Sequence, residues 1–519
     1  MRTLCVVLLS VAAVIGALVP ATAAVPGALV RTDDGWLRGT SGPGYELYQG
    51  IPYAAPPVGA LRWASPRAAA PWHGIRDATR PGPRCPQHAT PGNAPSATED
   101  CLYLNVTAPA RARHAPVLVW LHGGSLTNGA GSDYAARRLA VRGRMVVVTV
   151  NYRLGNLGFF GLPGLENGGA FGVEDQQAAL RWVRHNAAAF GGDPGNVTLA
   201  GESAGAHSVC AQLASPGAAG LFHRAVAQSS PCPTGLLDGS TLRPLLDVPY
   251  FVPAEWHEAH GTEVAREVGC ADADRVLACL RDSPVDALLR AGTLPLPAYG
   301  TAVLPENPVD VFTEGRQHRM PLLTGVTRDE GTLFSPLVLP DLTEENYASA
   351  LDGHFGRFGS RVAERYPLDA HGGSAHQAAA AVMSDLDWAW PQHDAERVLG
   401  AVMPTYAYEF LDRTAPPIPD FPGGLDPLAS HGSEVAYLFD APAAVEPLTA
   451  RQRHLGDRMI RYWSRFAATG DPNAPGLPGW APVTRANHHV QGLDLVPRGI
   501  GAFDRATAHD LAFWESLRP

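Results

Sequence analysis

Lysine is missing. None occurs among the 519 residues, and all 40 cationic side chains are arginine. With abundant alanine, glycine and proline, that usage points to G+C-rich coding DNA and carries no chemistry. Positive charge is also short overall, since 50 acidic residues leave a formal net charge of −10. Without a basic excess there is no field to attract nucleic acid or anionic lipid, so neither is an expected partner. No stretch beyond the N-terminal segment is apolar for long enough to span a bilayer. No G-x-G-x-x-G follows a predicted strand, and the histidines and cysteines lack ligand spacing, so neither a nucleotide cofactor nor a metal is expected. Internal repeats and low-complexity linkers are lacking as well. Length alone allows one large α/β domain or two to four ordinary ones, and no boundary between independent domains is visible.

The N-terminus is what marks the compartment. Met1-Arg2 precedes an apolar run reaching Val19, followed by Pro20-Ala21-Thr22-Ala23-Ala24. One positive charge, a short apolar core and small residues before a cut describe a secretory signal over residues 1–24. A single domain over 25–519 would follow it. A membrane anchor is the competing reading, but the run is short for spanning and ends at a cleavable stretch. Cys5 lies before the apolar core and does not read as a lipid-attachment site. The expectation is a secreted, extracellular protein with no stable membrane anchor. Export permits disulfides. Cys85 with Cys101, and Cys270 with Cys279, would close short loops. Cys210 lies in an apolar segment and reads as a buried small hydrophobe. Cys232 has no assigned partner; pairing with Cys210 is possible but has no support in the sequence.

Strand-like runs occur at Leu102–Val106, Val117–Leu121, Met145–Asn151, Val197–Ala200, Ala225–Gln228 and Leu322–Gly325. Residues 173–190 show helical apolar spacing, and Gly191-Gly192-Asp193-Pro194 stops that helix. Strands alternating with helices indicate a large, mostly parallel central sheet flanked by helices. Residues 254–292 and 343–400 read as helical insertions able to roof a pocket. Residues 449–469 form an amphipathic helix whose Leu455, Met459, Tyr462, Trp463 and Phe466 face the core.

Gly201-Glu202-Ser203-Ala204-Gly205 falls between an apolar strand and a run of small residues. A serine on a sharp strand-to-helix turn, with glycine two residues either side, has the form of a nucleophile elbow. With 55 glycines in the chain, a chance G-x-S-x-G match has odds of roughly one in four, so the context decides. Upstream, the strand Val117–Leu121 runs into His122-Gly123-Gly124-Ser125. The turn N–H groups of Gly124 and Ser125, with that of Ala204 after the serine, would form an oxyanion hole. His122 reads as structural. An acid is expected past a later strand, where Asp329 and Glu330 both follow Met320–Gly325, and spacing does not choose between them. A histidine must come after the acid. His431, flanked by Ser430 and Gly432 after a loop rich in proline and glycine, leads. His488 and His489, in a polar turn, follow it, whereas His393 and His454 fall in helical patterns and read as solvated.

These residues carry a resemblance. The chain resembles the type-B carboxylesterase and cholinesterase family of α/β-hydrolases. The likeness runs from Tyr48-Gln49-Gly50-Ile51-Pro52-Tyr53-Ala54 through Glu99-Asp100-Cys101-Leu102-Tyr103-Leu104-Asn105-Val106 and Asn151-Tyr152-Arg153. It continues with Glu174-Asp175-Gln176, the elbow itself, Gln228-Ser229, Asp329-Glu330-Gly331, His431-Gly432 and Gly470-Asp471-Pro472-Asn473. The resemblance implies Glu330 as the acid and His431, with Gly432 and Glu434 after it, as the base. It also implies the pairs Cys85–Cys101 and Cys270–Cys279. It implies two-step acyl transfer on a small-molecule ester: attack by Ser203, then hydrolysis of an acyl-enzyme. The chain departs from the family pattern at Ser125, where a third glycine is common. Residues 86–98 contain no tryptophan, whereas cholinesterases stack choline on one there, so the likeness is to a general carboxylesterase. A lipase or sterol-ester hydrolase on the same fold, or a non-catalytic binding protein, are the competing functions.

Overall fold

The segment Val146–Val150 reads Val-Val-Val-Thr-Val, and all five residues are buried. Such continuous β-branched runs belong to strands covered by helices on both faces. The structure, a computed structural model, describes residues 28–232 and 249–517, apart from positions 273, 293, 420, 423 and 441–445. The expected signal segment 1–24 lies outside the described residues. Eleven strands form the main sheet. In chain order they are β1 (Thr40–Gly42), β2 (Tyr45–Pro52), β3 (Tyr103–Pro109), β4 (Ala115–Leu121), β5 (Val146–Val150), β6 (Gly192–Glu202), β7 (Arg224–Gln228), β8 (Leu322–Thr327), β9 (Thr405–Phe410), β10 (Val490–Leu493) and β11 (Gly501–Phe503). Their spatial order is 11-10-9-8-7-6-4-5-3-2-1.

From β10 across to β5 every pairing is parallel. The margins, β11 on one side and β3, β2 and β1 on the other, are antiparallel. The sheet is therefore mixed, with the expected parallel arrangement at its centre. β2 is hard to read as a strand in sequence because its register shifts between Tyr48 and Ile51 around Gly50, whose φ is +65°. A bulge breaks the alternation that marks a strand.

Alternate residues of the central strands enter two cores. Val117, Val119 and Leu121 of β4 join the core that contains Leu180 and Val183 of helix α1 (Phe171–Asn186) and Val209 and Leu213 of helix α2 (Ala204–Ala214). Leu118 and Trp120 join the opposite core with Leu455, Met459, Tyr462, Trp463 and Phe466 of helix α3 (Ala450–Thr469). Each of these side chains contributes about 1.5–3 kcal/mol through burial. α3 begins where Thr449 and Gln452 cap each other and ends at Gly470, at φ +82°. The insertions expected at 254–292 and 343–400 are helical: Ala254–Glu267, Val276–Asp282 and Val285–Arg290 in the first, and a series from Tyr347–Phe355 to Trp390–Gly400 in the second. Among the described residues no helix is long and apolar enough to cross a membrane.

Three disulfides are present: Cys85–Cys101, Cys270–Cys279 and Cys210–Cys232. The third gives Cys210, which is buried as expected, a covalent partner in Cys232 that nothing in the sequence supported. β6 and β7 are neighbours in the sheet, so the helix after one and the loop after the other meet, bringing two Cα atoms 22 residues apart to 5.2 Å.

Candidate active site

Because β5 lies outside β4, the turns leaving β4 and β6 emerge side by side at the carboxyl edge of the sheet, where open α/β sheets bind ligands. Ser203 occupies the turn between β6 and α2 with φ +55° and ψ −125°, a strained conformation for a residue with a side chain. Its N–H donates to the Gln228 carbonyl at 2.9 Å, which holds the turn against β7. The two flanking glycines are steric necessities. A Cβ at Gly201 would lie 2.4 Å from the Gly205 carbonyl carbon, and one at Gly205 would lie 2.1 Å from the Leu121 oxygen.

On the β4 turn, Gly124 has φ +102°, while Ser125 and Leu126 hold +53° and +58°. Ser125 thus adopts the left-handed backbone that glycine favours, and its residue is exposed. The N–H groups of Gly124, Ser125 and Ala204 make no hydrogen bond among the described residues. His122 anchors the turn from beneath: its Nδ1 meets the Gly123 carbonyl at 2.8 Å, and its own carbonyl accepts from the Tyr152 hydroxyl at 2.6 Å. Burial pushes the His122 imidazole down to about 4, so it is neutral. Arg153, next to Tyr152, is fixed by a buried two-pronged pair with Asp175 of α1, at 2.7 Å for each prong.

The two candidate acids part company at the end of β8. Glu330 is fully buried, its Oε1 accepting the Thr327 N–H at 2.8 Å and its Oε2 standing 2.5 Å from His431 Nδ1. Asp329 turns the other way, pairing with Arg413 at 2.6 Å. It also exchanges two hydrogen bonds with Ala429, 3.0 and 3.2 Å long, which draw the loop carrying His431 toward Glu330. His431 Nε2 makes no hydrogen bond, and Glu202 Oε1 is 3.3 Å from it. The hydrogen bond that would link His431 to Ser203 is therefore not formed here; catalytic hydrogen bonds are often loose without substrate.

Other histidines are elsewhere. His488 binds Glu396 at 2.7 Å and His489 binds Gln491 at 2.7 Å. His393, expected to be solvated, is instead stacked on His488 with ring centroids 3.9 Å apart, because its helix packs against the loop before β10. His454 is exposed.

Burial lowers the His431 pKa, but the charges of Glu330 and Glu202 outweigh it and raise the imidazole to about 9. Burial raises the carboxyls of Glu202 and Glu434. Glu434 is held by Gln228 Nε2 at 2.9 Å, and Gln228 Oε1 in turn accepts from Trp463 Nε1 at 3.0 Å. Gln228 and Glu434 were visible in the sequence only as parts of the family likeness, because their contact spans 206 residues. Phe334 and Trp388 flank His431, with ring centroids 4.9 and 6.2 Å away. No sequence signal singled out either one. Among the described residues no group of acidic, histidine or cysteine side chains could hold a metal.

Comparison with known proteins gives this constellation a context. The model of the carboxylesterase family matches residues 26–514. The chain belongs to that family. It is 33% identical to a cocaine esterase of Oryctolagus cuniculus over an alignment covering 96% of this chain and 95% of that protein. It is likewise 33% identical to the para-nitrobenzyl esterase of Bacillus subtilis (strain 168), over 86% of this chain and 91% of the relative. A solved PNB esterase superposes with a TM-score of 0.75 at 30% identity, covering 94% of this chain and 99% of that one. The protein is a carboxylic-ester hydrolase of α/β-hydrolase fold.

Proposed function

We propose that this carboxylesterase cleaves esters through an acyl-enzyme formed on Ser203, with His431 as general base and acid and Glu330 as its orienting carboxylate. The observation that carries the reading is the 2.5 Å contact between Glu330 and His431 Nδ1, on the same sheet edge as a serine held at φ +55°. Glu330 accepts a hydrogen bond from the Nδ1–H, leaving the Nε2 lone pair to take the Ser203 proton as Oγ attacks the ester carbonyl. The N–H groups of Gly124, Ser125 and Ala204 receive the negative charge that develops on the carbonyl oxygen, each worth roughly 3 kcal/mol. Collapse expels the alcohol, which takes the proton from His431. Water then attacks the acyl-enzyme as His431 takes its proton, and His431 returns that proton to Ser203 Oγ as the acid is released.

No cofactor or metal enters these steps. Export to an oxidising compartment completes the reading. It is supported by three disulfides and by the apolar N-terminal sequence before Ala24. The test is Ser203→Ala: hydrolysis should be lost, and a fluorophosphonate probe should label the unaltered enzyme at Ser203 alone. Labelling that persists in the variant would assign the nucleophile elsewhere.

A further inference from the structure

The second helical insertion contains one π-helical turn, Ser384–Ala389, and such turns are often found at functional sites. Two of its residues face the candidate site. The Ser384 hydroxyl accepts the N–H of Gly331, the residue after Glu330, at 2.9 Å. Trp388 is 5% exposed and stacks on Phe334 at 4.8 Å, forming the aromatic wall beside His431. A third residue of the turn, Asp385, faces away from the site and is held from a distant part of the chain. Its Oδ1 is 2.5 Å from His509 Nδ1, and its Oδ2 accepts from the Tyr366 hydroxyl at 2.6 Å.

His509 is itself bridged, its Nε2 lying 2.8 Å from Glu409 of β9. With a carboxylate at each ring nitrogen, both nitrogens donate and the ring is an imidazolium. Arg505 completes the cluster, donating to Glu409 at 2.8 Å and to both oxygens of Glu396 at 2.7 Å. Glu396 lies in the helix Trp390–Gly400 that continues the π-helical turn. Two cations from residues 505–509 therefore clamp both ends of one wall onto the strand next to β8, all of them nearly inaccessible to solvent. None of these groups has a role in the acyl-transfer steps. So much buried charge is a poor source of stability when apolar packing would serve as well.

We propose that His509 and Arg505 are positioning residues: by holding Asp385 and Glu396 they fix the π-helical turn, and so set how close Trp388 stands to His431 and how bulky an ester substituent is admitted. The inference rests on the Ser203–His431–Glu330 reading of the site.

The experiment measures kcat and KM of the full chain on two pairs of esters: 4-nitrophenyl acetate against hexanoate, and ethyl against cyclohexyl acetate. His509→Gln should relax discrimination against the bulky member of one pair by about threefold or more, the range of coupling between residues in one network. Trp388→Ala should relax it further, and adding His509→Gln to Trp388→Ala should then change nothing more. If His509→Gln does not fold, Tyr366→Phe removes the other anchor of Asp385 without altering the charge balance and serves in its place. Unmoved ratios in both pairs, or additive effects in the double variant, would overturn the inference while leaving the triad intact. Hydrolysis that survives Ser203→Ala would instead refute the triad reading, which keeps the two failures distinct.

Discussion

Replacing Glu330 with glutamine changes one oxygen into an amide nitrogen, and the surroundings decide which one. Thr327 presents its N–H to Oε1 at 2.8 Å inside the protein. A glutamine must therefore turn its carbonyl oxygen to Thr327, since an NH₂ there would face another donor. The amide NH₂ is then aimed at His431 Nδ1, where the carboxylate oxygen stood at 2.5 Å. The imidazole has to accept at Nδ1 and carry its proton on Nε2, the tautomer unable to take a proton from Ser203. If Glu330 holds the proposed place in a serine triad, its exchange for the amide should lower kcat about ten-thousandfold, which corresponds to roughly 5 kcal/mol of barrier.

Asp329→Asn is the matched control, one residue away. Its partner Arg413 has a side chain 50% exposed, so the ion pair is worth about 1 kcal/mol or less. Asparagine can still accept the Ala429 N–H through its carbonyl oxygen, keeping the His431 loop in place. A loss of less than about tenfold in kcat is expected, because no proton-transfer group changes state. The assay is steady-state hydrolysis of 4-nitrophenyl acetate, with the rate of fluorophosphonate labelling as a measure of serine nucleophilicity and a thermal melt to confirm folding. Comparable losses from the two substitutions, in proteins that melt alike, would refute the assignment of Glu330.

The acid limb of kcat/KM should lie above 6.5, the ordinary imidazole value, because nearby carboxylates favour protonated His431. Glu202→Gln removes one of those charges and should move the limb to lower pH by about one unit; a limb that stays put would show that Glu202 is not coupled to His431. His431→Ala should lower kcat by several orders of magnitude, whereas His488→Ala should not, and the reverse order would reassign the base. Ser125→Gly takes a Cβ from a residue at φ +53° and should raise the rate on a tert-butyl ester relative to an ethyl ester of the same acid; an unchanged ratio would mean that the CH₂OH group points away from the substrate. Peptide mapping without reduction should recover Cys210 joined to Cys232 beside the other two pairs, and a free thiol at Cys210 would contradict the third.

The parts of the site that sequence made legible are those determined by neighbours along the chain. Gly201 is demanded by a contact within the elbow itself, with Gly205, so that half of the motif announces its own geometry, whereas Gly205 answers to the Leu121 oxygen on the neighbouring strand. The choice between Asp329 and Glu330 was not legible from spacing, because adjacent residues leave a turn in opposite directions. Only Arg413 on one side and His431 on the other, 84 and 101 residues away, separate their roles. The family likeness points to Glu330 by pattern where local physics offers no choice, and Glu330 is the one of the two that lies beside His431. The Cys210–Cys232 pair escaped for the same reason, since it depends on β6 and β7 being neighbours in the sheet. Trp388 escaped because a π-helical turn leaves no periodic trace in so short a segment.

Buried charge carries the functional argument one step further. Glu202 and Glu330 are at most 6% exposed, and each lies within 3.3 Å of a nitrogen of His431. A chain selected for stability alone would not gather carboxylates out of water, since each desolvated charge costs several kcal/mol before its partners offset it. Local rules of polar burial are broken where a protein has another use for the energy. In the proposed mechanism the imidazole acquires a positive charge as the serine proton arrives, and it loses that charge when the alcohol leaves. Carboxylates already oriented around the ring favour that transient imidazolium with no rearrangement at the moment of reaction. The same field that lifts the His431 pKa thus holds back the resting base at low pH and stabilises the charge that the transition state creates. Both effects come from one arrangement, so Glu202→Gln should widen the active pH range and lower the maximal rate together.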